Sequence, residues 1–498
     1  MRNLAKYLFL AVIFTALGLL LGRSDAGKQA ADSLRSSAKN IKTAALETAV
    51  TAADLDTRAL VLLENPALMA RLSEGGSFGG QYSRLAAQNM FAHDHPEAAA
   101  DVSDKTSVVP AGPRSWLIRM PIVNAALFET DAGLVLVDTG MGPAGPALVD
   151  AIKSVSDKAL HTIIYTHGHV DHAYGTWALL EAGWTPEIIA HEKLLARFNR
   201  YIRLRGSIGP YMSQPTEQLP ASENDLVWPT RTFSGDTLEL EIGGERIVLR
   251  HFPGETDDQL FVWLPERRMI ASADYYQGFL PNAGNGKRVQ RYVEEWAAAL
   301  REMVALNPAV VLPAHGELLS DPAVIQENLG AHAEALQYLV DYTITELNKG
   351  TRKDHIYHNA KLPEHLASHP TLNVQYVTPQ DIVKMVLKQY TGWWDDIPSN
   401  WSPATSAEVG QAIADFGGGI EAMLNYTQQL LTSGELKLAC HFADWLFDSA
   451  PNSAAVQQLV IDAYTARMLD PASNTQEMLT YLDRMAAARQ RLMSRTAK

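Results

Sequence analysis

The chain has 498 residues, of which 47% are hydrophobic, and it carries a formal net charge of −14 at pH 7. A chain of this size can bury a large core and is expected to form more than one domain. The negative charge argues against a nucleic-acid partner, and the single cysteine, Cys440, excludes an intrachain disulfide and a cysteine-rich zinc module.

The first 26 residues have the layout of a bacterial secretory signal. Arg2 and Lys6 precede an almost unbroken apolar run over residues 8–22, and Ala26 follows as a candidate cleavage position. The run is shorter than the roughly 20 apolar residues that a membrane-spanning helix needs. We therefore expect a periplasmic or secreted protein, in which residues 1–26 are either removed as a signal peptide or kept as an inner-membrane anchor.

Residues 27–105 are rich in alanine, serine and charged residues and are predicted to form a helical and irregular N-terminal extension. They contain His93-Asp94-His95-Pro96, which could suggest a metal site. Because proline and an alanine-rich surrounding are typical of an exposed turn, and no third ligand is near in sequence, we interpret this motif as a surface turn.

The most informative motif is Thr166-His167-Gly168-His169-Val170-Asp171-His172, which follows an apolar run predicted to be a buried strand. Imidazole nitrogen and carboxylate oxygen are the ligands that hold Zn²⁺ at neutral pH. Side chains two residues apart point the same way from an extended segment, so His167 and His169 can share one ion. Asp171 and His172 suit a second ion, and a metal pair about 3.5–4 Å apart can activate water and hold a leaving oxygen.

Four further apolar stretches each end in a potential ligand beside glycine or proline. Their ends are Asp138, the run Glu255-Thr256-Asp257-Asp258 after Pro253-Gly254, Asp274, and His315 in Pro313-Ala314-His315-Gly316. His251 lies close to the second of these and is interpreted as a strand residue with a hydrogen-bonded ring. Repeated strand-then-ligand segments predict an α/β protein, an αββα sandwich that gathers a site at one edge of its sheets.

These motifs resemble the metallo-β-lactamase superfamily, and the resemblance extends from about residue 113 to about residue 330. It implies a catalytic domain over residues 106–330 and two zinc ions per chain. Carried over by position, one zinc is bound by His167, His169 and Glu255, the other by Asp171, His172 and His315, and Asp274 bridges the two. Asp171 and Asp274 are also the predicted catalytic residues.

Glu255 occupies a place that is usually histidine in the superfamily. A carboxylate there is associated with the linear alkylsulfatase branch, which makes Glu255 the predicted ligand. Asp257 and Asp258 are near in sequence and stay open as alternatives.

Helical patterns follow His315. Residues 325–348 have apolar positions at helical spacing and stop at Gly350, and residues 331–375 are predicted to be a helical connector. Residues 434–449 and 452–468 form a helix pair broken at Pro451, similar to a tetratricopeptide hairpin. Cys440 lies on the apolar face of the first of these helices and is predicted to be a core residue rather than a nucleophile.

The order of C-terminal motifs resembles that of the linear alkylsulfatases. It includes Leu362-Pro363 and the run Tyr-Thr-Gly-Trp-Trp-Asp-Asp-Ile-Pro over residues 390–398. The resemblance implies an all-α dimerisation domain over residues 376–498 and a homodimer. Family members often end in a further sterol-carrier-like domain. Because this chain stops at Lys498, we expect that domain to be missing and the substrate to be shorter or more polar than a detergent.

Family members also commonly carry an Asn-Leu-Tyr-x-x-Arg-Gly run that holds the sulfate. Residues 281–288 of this chain read Pro-Asn-Ala-Gly-Asn-Gly-Lys-Arg, so Asn282 matches, Gly284 replaces the tyrosine, and the cation is either Lys287 or Arg288. Arginine offers a planar fork to an oxyanion, whereas lysine offers a point charge. Four more arginines at helical spacing either face the cleft or lie on a surface helix: Arg197, Arg200, Arg203 and Arg205.

The sequence thus predicts a binuclear zinc hydrolase that cleaves an alkyl sulfate to alcohol and sulfate with a hydroxide generated on zinc. Its substrate is expected to be a small anionic ester. One alternative is a hydrolase of a carboxylic ester, lactone or phosphoester on the same scaffold. The other is a non-enzymatic, membrane-tethered interaction protein.

Overall fold

A computed structural model describes residues 57–73, 106–212 and 219–496. The chain divides into two compact units, one formed by Asp101–Trp401 and the other by Met1–Ala100 together with Ser402–Lys498. The first described elements of the second unit are helices α1 (Thr57–Glu64) and α2 (Pro66–Ser73). The predicted signal segment and His93-Asp94-His95 lie outside the described residues. In the described ranges we find no helix with the length and apolar character needed to cross a bilayer.

The Asp101–Trp401 unit contains a seven-stranded sheet whose strands follow one another in chain order. Strands β1 to β4 pair antiparallel, and β4 to β7 pair parallel. The strands are β1 (Ser107–Gly112), β2 (Ser115–Arg119), β3 (Asn124–Glu129), β4 (Leu134–Val137), β5 (Leu160–Ile164), β6 (Glu187–His191) and β7 (Arg231–Phe233).

A second sheet of five strands has the order β12-β11-β10-β9-β8. Its pairs are antiparallel except for β11 and β12, which run parallel because helix α8 (Val293–Leu306) connects them. The strands are β8 (Thr237–Ile242), β9 (Glu245–His251), β10 (Leu260–Leu264), β11 (Met269–Ala273) and β12 (Val310–Pro313).

The two sheets face each other across one hydrophobic core. Phe128 and Val135 of the first sheet belong to the same buried cluster as Val262 and Leu312 of the second. Every residue of β4 and of β10 is buried, as expected for strands covered on both faces. The αββα sandwich predicted from the sequence is therefore confirmed.

Helices complete this unit. The longest is α9, which starts after Asp321, whose side chain accepts a hydrogen bond from the backbone N–H of Ala323, and ends before Gly350 in the left-handed region at φ 78°. This matches the helix predicted over residues 325–348. The helices other than α8 are α3 (Gly145–Lys153), α4 (Val170–Ala173), α5 (Thr176–Glu181), α6 (Lys193–Arg203), α7 (Arg205–Met212), α9 (Pro322–Asn348), α10 (Lys353–Asn359), α11 (Glu364–Ala367) and α12 (Pro379–Thr391).

Helix α12 belongs to the unit that contains the sandwich, although the sequence assigns residues 376–498 to the dimerisation domain. It contacts α9 and α10, and the loop at Gly284 rests on its first turn. A Cβ atom on Gly284 would lie 2.5 Å from the backbone carbonyl carbon of Asp381, so the loop and the helix are in direct backbone contact. The division between the compact units falls after Trp401 because of this packing, and the boundary at residue 376 stays a prediction.

The other unit is a set of packed helices, which confirms the all-α C-terminal region. They are α13 (Ser406–Gly417), α14 (Ile420–Thr432), α15 (Leu436–Ser449), α16 (Ala454–Leu469) and α17 (Thr475–Thr496). Leu62 and Leu68 of α1 and α2 share its core with Leu446 and Val460. The predicted helix pair is α15 and α16. Cys440 is packed against this core, and burial raises the pKa of its thiol to about 12, in agreement with a core role.

Candidate metal centre

The candidate ligands lie where strands of both sheets end. β5 ends at Ile164, and the loop behind it carries His167 and His169 before α4 begins at Val170. Glu255 follows β9, Asp274 follows β11 directly, and His315 follows β12. Because the core brings the two sheets face to face, these separate chain segments meet at one edge of the sandwich.

The structure brings all of the predicted metal ligands together in two groups. In each group the candidate ligand atoms lie within 4.8 Å of one another, and the groups are His167, His169, Glu255, Asp274 and Asp171, His172, His315. Asp274 lies near both. Its Oδ1 is 3.3 Å from Nε2 of His172 and 3.3 Å from Nε2 of His315, and its Oδ2 is 3.8 Å from Nε2 of His167.

Neighbouring groups orient the imidazole rings. Nδ1 of His172 donates to Oδ2 of Asp138 at 2.8 Å, and Nδ1 of His315 donates to the carbonyl of Ile122 at 2.5 Å. Nδ1 of His167 lies 3.1 Å from the hydroxyl of Thr166. In each ring Nε2 is left to face the cluster, which is the way metal-binding histidines are commonly fixed. From the sequence, Asp138 is recognisable only as an acidic residue at a strand end. In the structure, it orients the ring of His172.

Backbone strain is concentrated around the cluster. Asp138, Ala273 and Ile122 have φ values of 61°, 49° and 63°, in the left-handed region that non-glycine residues rarely adopt. Such positions cost on the order of 1–3 kcal/mol each and persist only where the surrounding structure imposes them. The conformation of Ala273 orients the side chain of Asp274, which follows it. The conformation of Ile122 orients the carbonyl that accepts from His315.

The electrostatics of the cluster fit a divalent cation. Burial lowers the pKa of His167 and of His169 well below the usual value, which keeps both rings in the neutral, ligating form. Burial alone would also lower the pKa of His172, but the carboxylates of Asp274, Asp171 and Asp138 raise it well above the usual value. The negative charge around His172 therefore favours a cation at this position.

Two atoms give a direct test of that fit. Nε2 of His172 and Oδ1 of Asp274 are buried, lie 3.3 Å apart, and have no hydrogen-bond partner among the described residues. Buried polar atoms without partners are rare and costly. A divalent metal ion bound between these atoms would satisfy both, and the mixed imidazole and carboxylate donors are ones that such ions accept.

Glu255 has a counter-charge that the sequence does not reveal. NH1 of Arg291 lies 2.7 Å from Oε1 of Glu255, and Nδ2 of Asn282 donates to the same oxygen at 3.3 Å. The Arg291 side chain is 1% exposed, and burial, with a contribution from Arg197, lowers its pKa to about 9. Its position beside an apolar helix start, Tyr292-Val293, is the only sequence signal that distinguishes it from Lys287 and Arg288.

The alternative carboxylates of the same loop point elsewhere. Oδ1 of Asp258 accepts from Nε of Arg197 at 2.8 Å, and its Oδ2 accepts from the backbone N–H of Gly168, also at 2.8 Å. Asp257 is paired with the same guanidinium. Asp258 therefore connects α6 to the histidine loop, Asp257 binds α6 through Arg197, and neither belongs to the ligand groups. His251 is a strand residue as predicted, with Nδ1 2.8 Å from the carbonyl oxygen of Gln259.

The choice of Glu255 over its neighbours can be tested by metal content. Glu255→Ala is expected to weaken metal binding, and Glu255→His to restore part of it because imidazole is an equally good ligand. Asp257→Ala is the matched control, since its side chain is 38% exposed and faces Arg197. Metal would be measured after dialysis against metal-free buffer. A depleted Asp257→Ala protein beside a fully loaded Glu255→Ala protein would assign the ligand to Asp257.

A cationic cavity of about 340 Å³, open to solvent, adjoins the cluster. His169 and Glu255 form its inner wall, and Tyr201, Ile208 and Val289 supply apolar surface. Lys287 and Arg288, the predicted oxyanion-binding cations, line it, whereas Asn282 is buried behind Glu255. Arg197, Arg200 and Arg291 also line it, so the cavity is bounded by five basic side chains.

Of the four arginines that the sequence places at helical spacing, Arg197 and Arg200 face this cavity. Arg203 is exposed on the same helix, and Nε of Arg205 donates to the carbonyl of Leu219 at 3.1 Å. Helix α6 therefore presents Arg197 and Arg200 to the cavity and Arg203 to solvent.

Two family models match the chain. The metallo-beta-lactamase superfamily matches residues 119–315, and alkyl sulfatase dimerisation matches residues 352–490. The chain combines a metallo-β-lactamase superfamily domain with an alkyl sulfatase dimerisation domain. The resemblance predicted from the motifs is thereby confirmed.

Proteins that are similar to the chain share moderate to low sequence identity with it. A linear primary-alkylsulfatase of Pseudomonas sp. is 28% identical over 345 residues, which cover 64% of this chain and 65% of that protein. An alkyl/aryl-sulfatase of Saccharomyces cerevisiae is 23% identical over 374 residues, covering 69% of this chain and 58% of that protein. The chain therefore spans less than two thirds of the length of either relative.

The fold is also that of a solved structure, the inverting sec-alkylsulfatase Pisa1 from Pseudomonas sp.. The two superpose with a TM-score of 0.68 at 18% identity, over 85% of this chain and 70% of that one.

Proposed function

We propose that this protein is a metal-dependent sulfuric ester hydrolase that cleaves an alkyl sulfate with water to an alcohol and hydrogen sulfate. The observation that carries the proposal is a buried set of imidazole and carboxylate ligands opening on a cavity with five basic side chains. The similarity to proteins named linear primary-alkylsulfatase and alkyl/aryl-sulfatase supports the choice of sulfate as the anion. Two zinc ions are the proposed metals, because all of the candidate ligands are nitrogen or carboxylate oxygen.

The basic side chains are proposed to hold the sulfate group. Arg291 lies deepest and beside Glu255, so it can present a planar fork to sulfate oxygens next to the ligand cluster. Lys287 and Arg288, nearer to solvent, add positive charge. A bound metal pair would supply Lewis acidity and an activated water at neutral pH.

Asp171 and Asp274 are the proposed catalytic residues, and Asp171 is proposed to accept the proton of the attacking water. Oδ2 of Asp171 lies 3.5 Å from Nε2 of His315 and 3.6 Å from Nε2 of His172, and the Asp171 side chain is 20% exposed. Asp171 can therefore accept a proton at the cluster and pass it to solvent. Asp274 is buried, and although burial alone would raise its pKa, His315 and His172 hold it well below the usual range, so it stays ionised. One water, the ester and these carboxylates account for the alcohol, the sulfate and the released proton.

A substrate panel tests the function. The purified protein would be incubated with butyl sulfate, an aryl sulfate, a lactone and a phosphodiester, and free sulfate would be measured directly beside the other products. We expect sulfate release from butyl sulfate to exceed turnover of the lactone and phosphodiester by at least about tenfold, a difference of roughly 1.4 kcal/mol in transition-state binding.

The replacement of the family tyrosine by Gly284 favours the second candidate, a hydrolase of a carboxylic ester, lactone or phosphoester. The structure gives a local reason for the replacement, since a side chain at this position would collide with Asp381. Faster turnover of the lactone or phosphodiester than of any sulfate ester would favour that candidate. Absence of both turnover and bound metal would instead favour the non-enzymatic alternative.

Assembly as a homodimer through residues from about 376 onward is also proposed. Trp393 and Trp401 are 74% and 64% exposed, and their rings stack with centroids 5.9 Å apart. Exposed aromatic residues of this kind are enriched at interface cores. Light scattering at micromolar concentration is expected to give twice the chain mass, and Trp393→Ser is expected to raise the dimer dissociation constant. A monomeric wild type would contradict the proposal.

A further inference from the structure

The cavity beside the ligand cluster has more positive charge than one sulfate group needs. Two of its five basic side chains already have carboxylate partners: Arg197 is paired with Asp257 and Asp258, and Arg291 is paired with Glu255. A single sulfate monoester carries one negative charge and requires one or two cationic contacts. With Arg291, Lys287 and Arg288 assigned to the sulfate group, Arg200 is in excess of what the ester group itself can use.

Arg200 is the clearest case. It is half-buried on α6 and lines the cavity, and among the described residues no carboxylate lies within ion-pairing distance of its guanidinium. Burial lowers its pKa, and the nearby charges of Arg197 and Arg288 lower it further, while Tyr201 and Asp257 partly offset this lowering. A partly buried cation among other cations is unfavourable unless an anion is present, so the space beside Arg200 suits an anionic ligand group.

The surroundings of Arg200 also limit the rest of that ligand. Tyr201 and Ile208 are buried and line the same cavity. Their apolar surface suits a short hydrocarbon segment. The apolar lining is limited to these side chains and Val289, so a long alkyl chain is not what this space favours.

We propose that the substrate is a short sulfate ester with a second anionic group, such as a carboxylate, at the end of its alcohol part, and that Arg200 binds this second group. This inference rests on the proposed function and adds the substrate class to it. Arg291, beside the ligand cluster, holds the sulfate end, Tyr201 and Ile208 contact the hydrocarbon spacer, and Arg200 forms the site for the far end.

A matched pair of esters tests the proposal. The sulfate ester of γ-hydroxybutyrate and butyl sulfate have the same carbon chain and differ only in the terminal carboxylate. A charge-assisted contact corresponds to roughly a tenfold to hundredfold effect, so kcat/KM for the carboxylate ester is expected to be at least about tenfold higher. The ratio of the two kcat/KM values should fall to near one in Arg200→Gln and fall only partly in Arg200→Lys, which keeps the charge but loses the planar fork. Arg203→Gln, an exposed arginine on the same helix, is the control and should keep the ratio.

The outcomes separate the subsite from the function. Equal or better turnover of butyl sulfate by the wild type would overturn the subsite and leave the sulfatase proposal standing. A preference that survives Arg200→Gln, with the melting temperature unchanged, would also overturn the role of Arg200. If neither ester releases sulfate, the sulfatase proposal fails. Calorimetric titration of the metal-loaded protein with glutarate and butyrate then decides the subsite by itself, because a dianion preference lost in Arg200→Gln supports it and equal binding contradicts it.

Discussion

The His169→Ala variant is expected to lose bound metal and sulfate ester hydrolysis together. Loss of an outer partner of a metal ligand alone typically costs about 10- to 100-fold in affinity or activity, so removal of a direct ligand should exceed about 100-fold. His169 is buried in the first ligand group and also lines the cavity, so its loss opens the metal site towards the substrate. Metal content by elemental analysis and sulfate release would be measured on the same preparation.

His161→Ala is the matched control for this variant. His161 is an exposed histidine of β5, six residues before His167, and lies outside both ligand groups. The control is expected to keep the metal content and the activity of the wild type. Full metal content in His169→Ala would refute the ligand assignment, and lost metal with unchanged activity would refute the metal-dependent mechanism.

Replacement of Arg291 by glutamine is expected to have the second large effect, on both stability and activity. Arg291 and Glu255 form a buried ion pair, and removal of one partner from such a pair commonly costs about 3–5 kcal/mol because the other charge is left uncompensated. A metal ion bound to Glu255 would replace the missing charge. The metal-free variant should therefore be destabilised much more than the metal-loaded variant.

The same variant should also lose activity, because Arg291 is the proposed donor to the sulfate group. Loss of a preorganised donor to a developing anion costs on the order of 100- to 1,000-fold in kcat. Melting temperatures with and without chelator, and kcat/KM for butyl sulfate, are the measurements. Arg231→Gln is the control, since Arg231 is a surface residue 3.7 Å from Glu187. Equal destabilisation of both metal states would show that Glu255 does not contact the metal.

The sequence predicted much of the site because its ligands are carried by local motifs. The positions of His167, His169, Asp171 and His172 follow from one strand and one loop, and Asp274 and His315 each follow a recognisable buried strand. Local pattern is sufficient here, because a strand end and a ligand residue next to it are both readable from neighbouring residues. The sandwich and the C-terminal helices could be predicted for the same reason.

The partners of those ligands could not be predicted in this way. Arg291 meets Glu255 across 36 residues, and Asp138 meets His172 across 34 residues. Apart from the apolar helix start that follows Arg291, nothing in the nearby sequence distinguishes this buried guanidinium from Lys287 and Arg288. Which of these cations is buried depends on how the loop after Asp274 rests on α12, and that contact is formed only in the folded chain.

The packing of α1 and α2 is a further example. Their sequences predict short helices in an extension without chemical motifs, but not that Leu62 and Leu68 would share a core with Leu446 and Val460. Contacts between segments almost 400 residues apart in sequence are set by shape and burial rather than by periodicity.

The sequence by itself indicated the element types, most of the candidate ligand residues and the order of the two family domains, because hydrophobic periodicity and strand-end motifs are local properties. Only the tertiary structure decided which side chains neutralise the ligands, which of the basic residues enter the cavity, and which carboxylates of the 255–258 loop turn away from the cluster. These outcomes depend on distances between segments that are far apart in the chain. Because the charges are buried, each of these distances has a large effect on the free energy of folding.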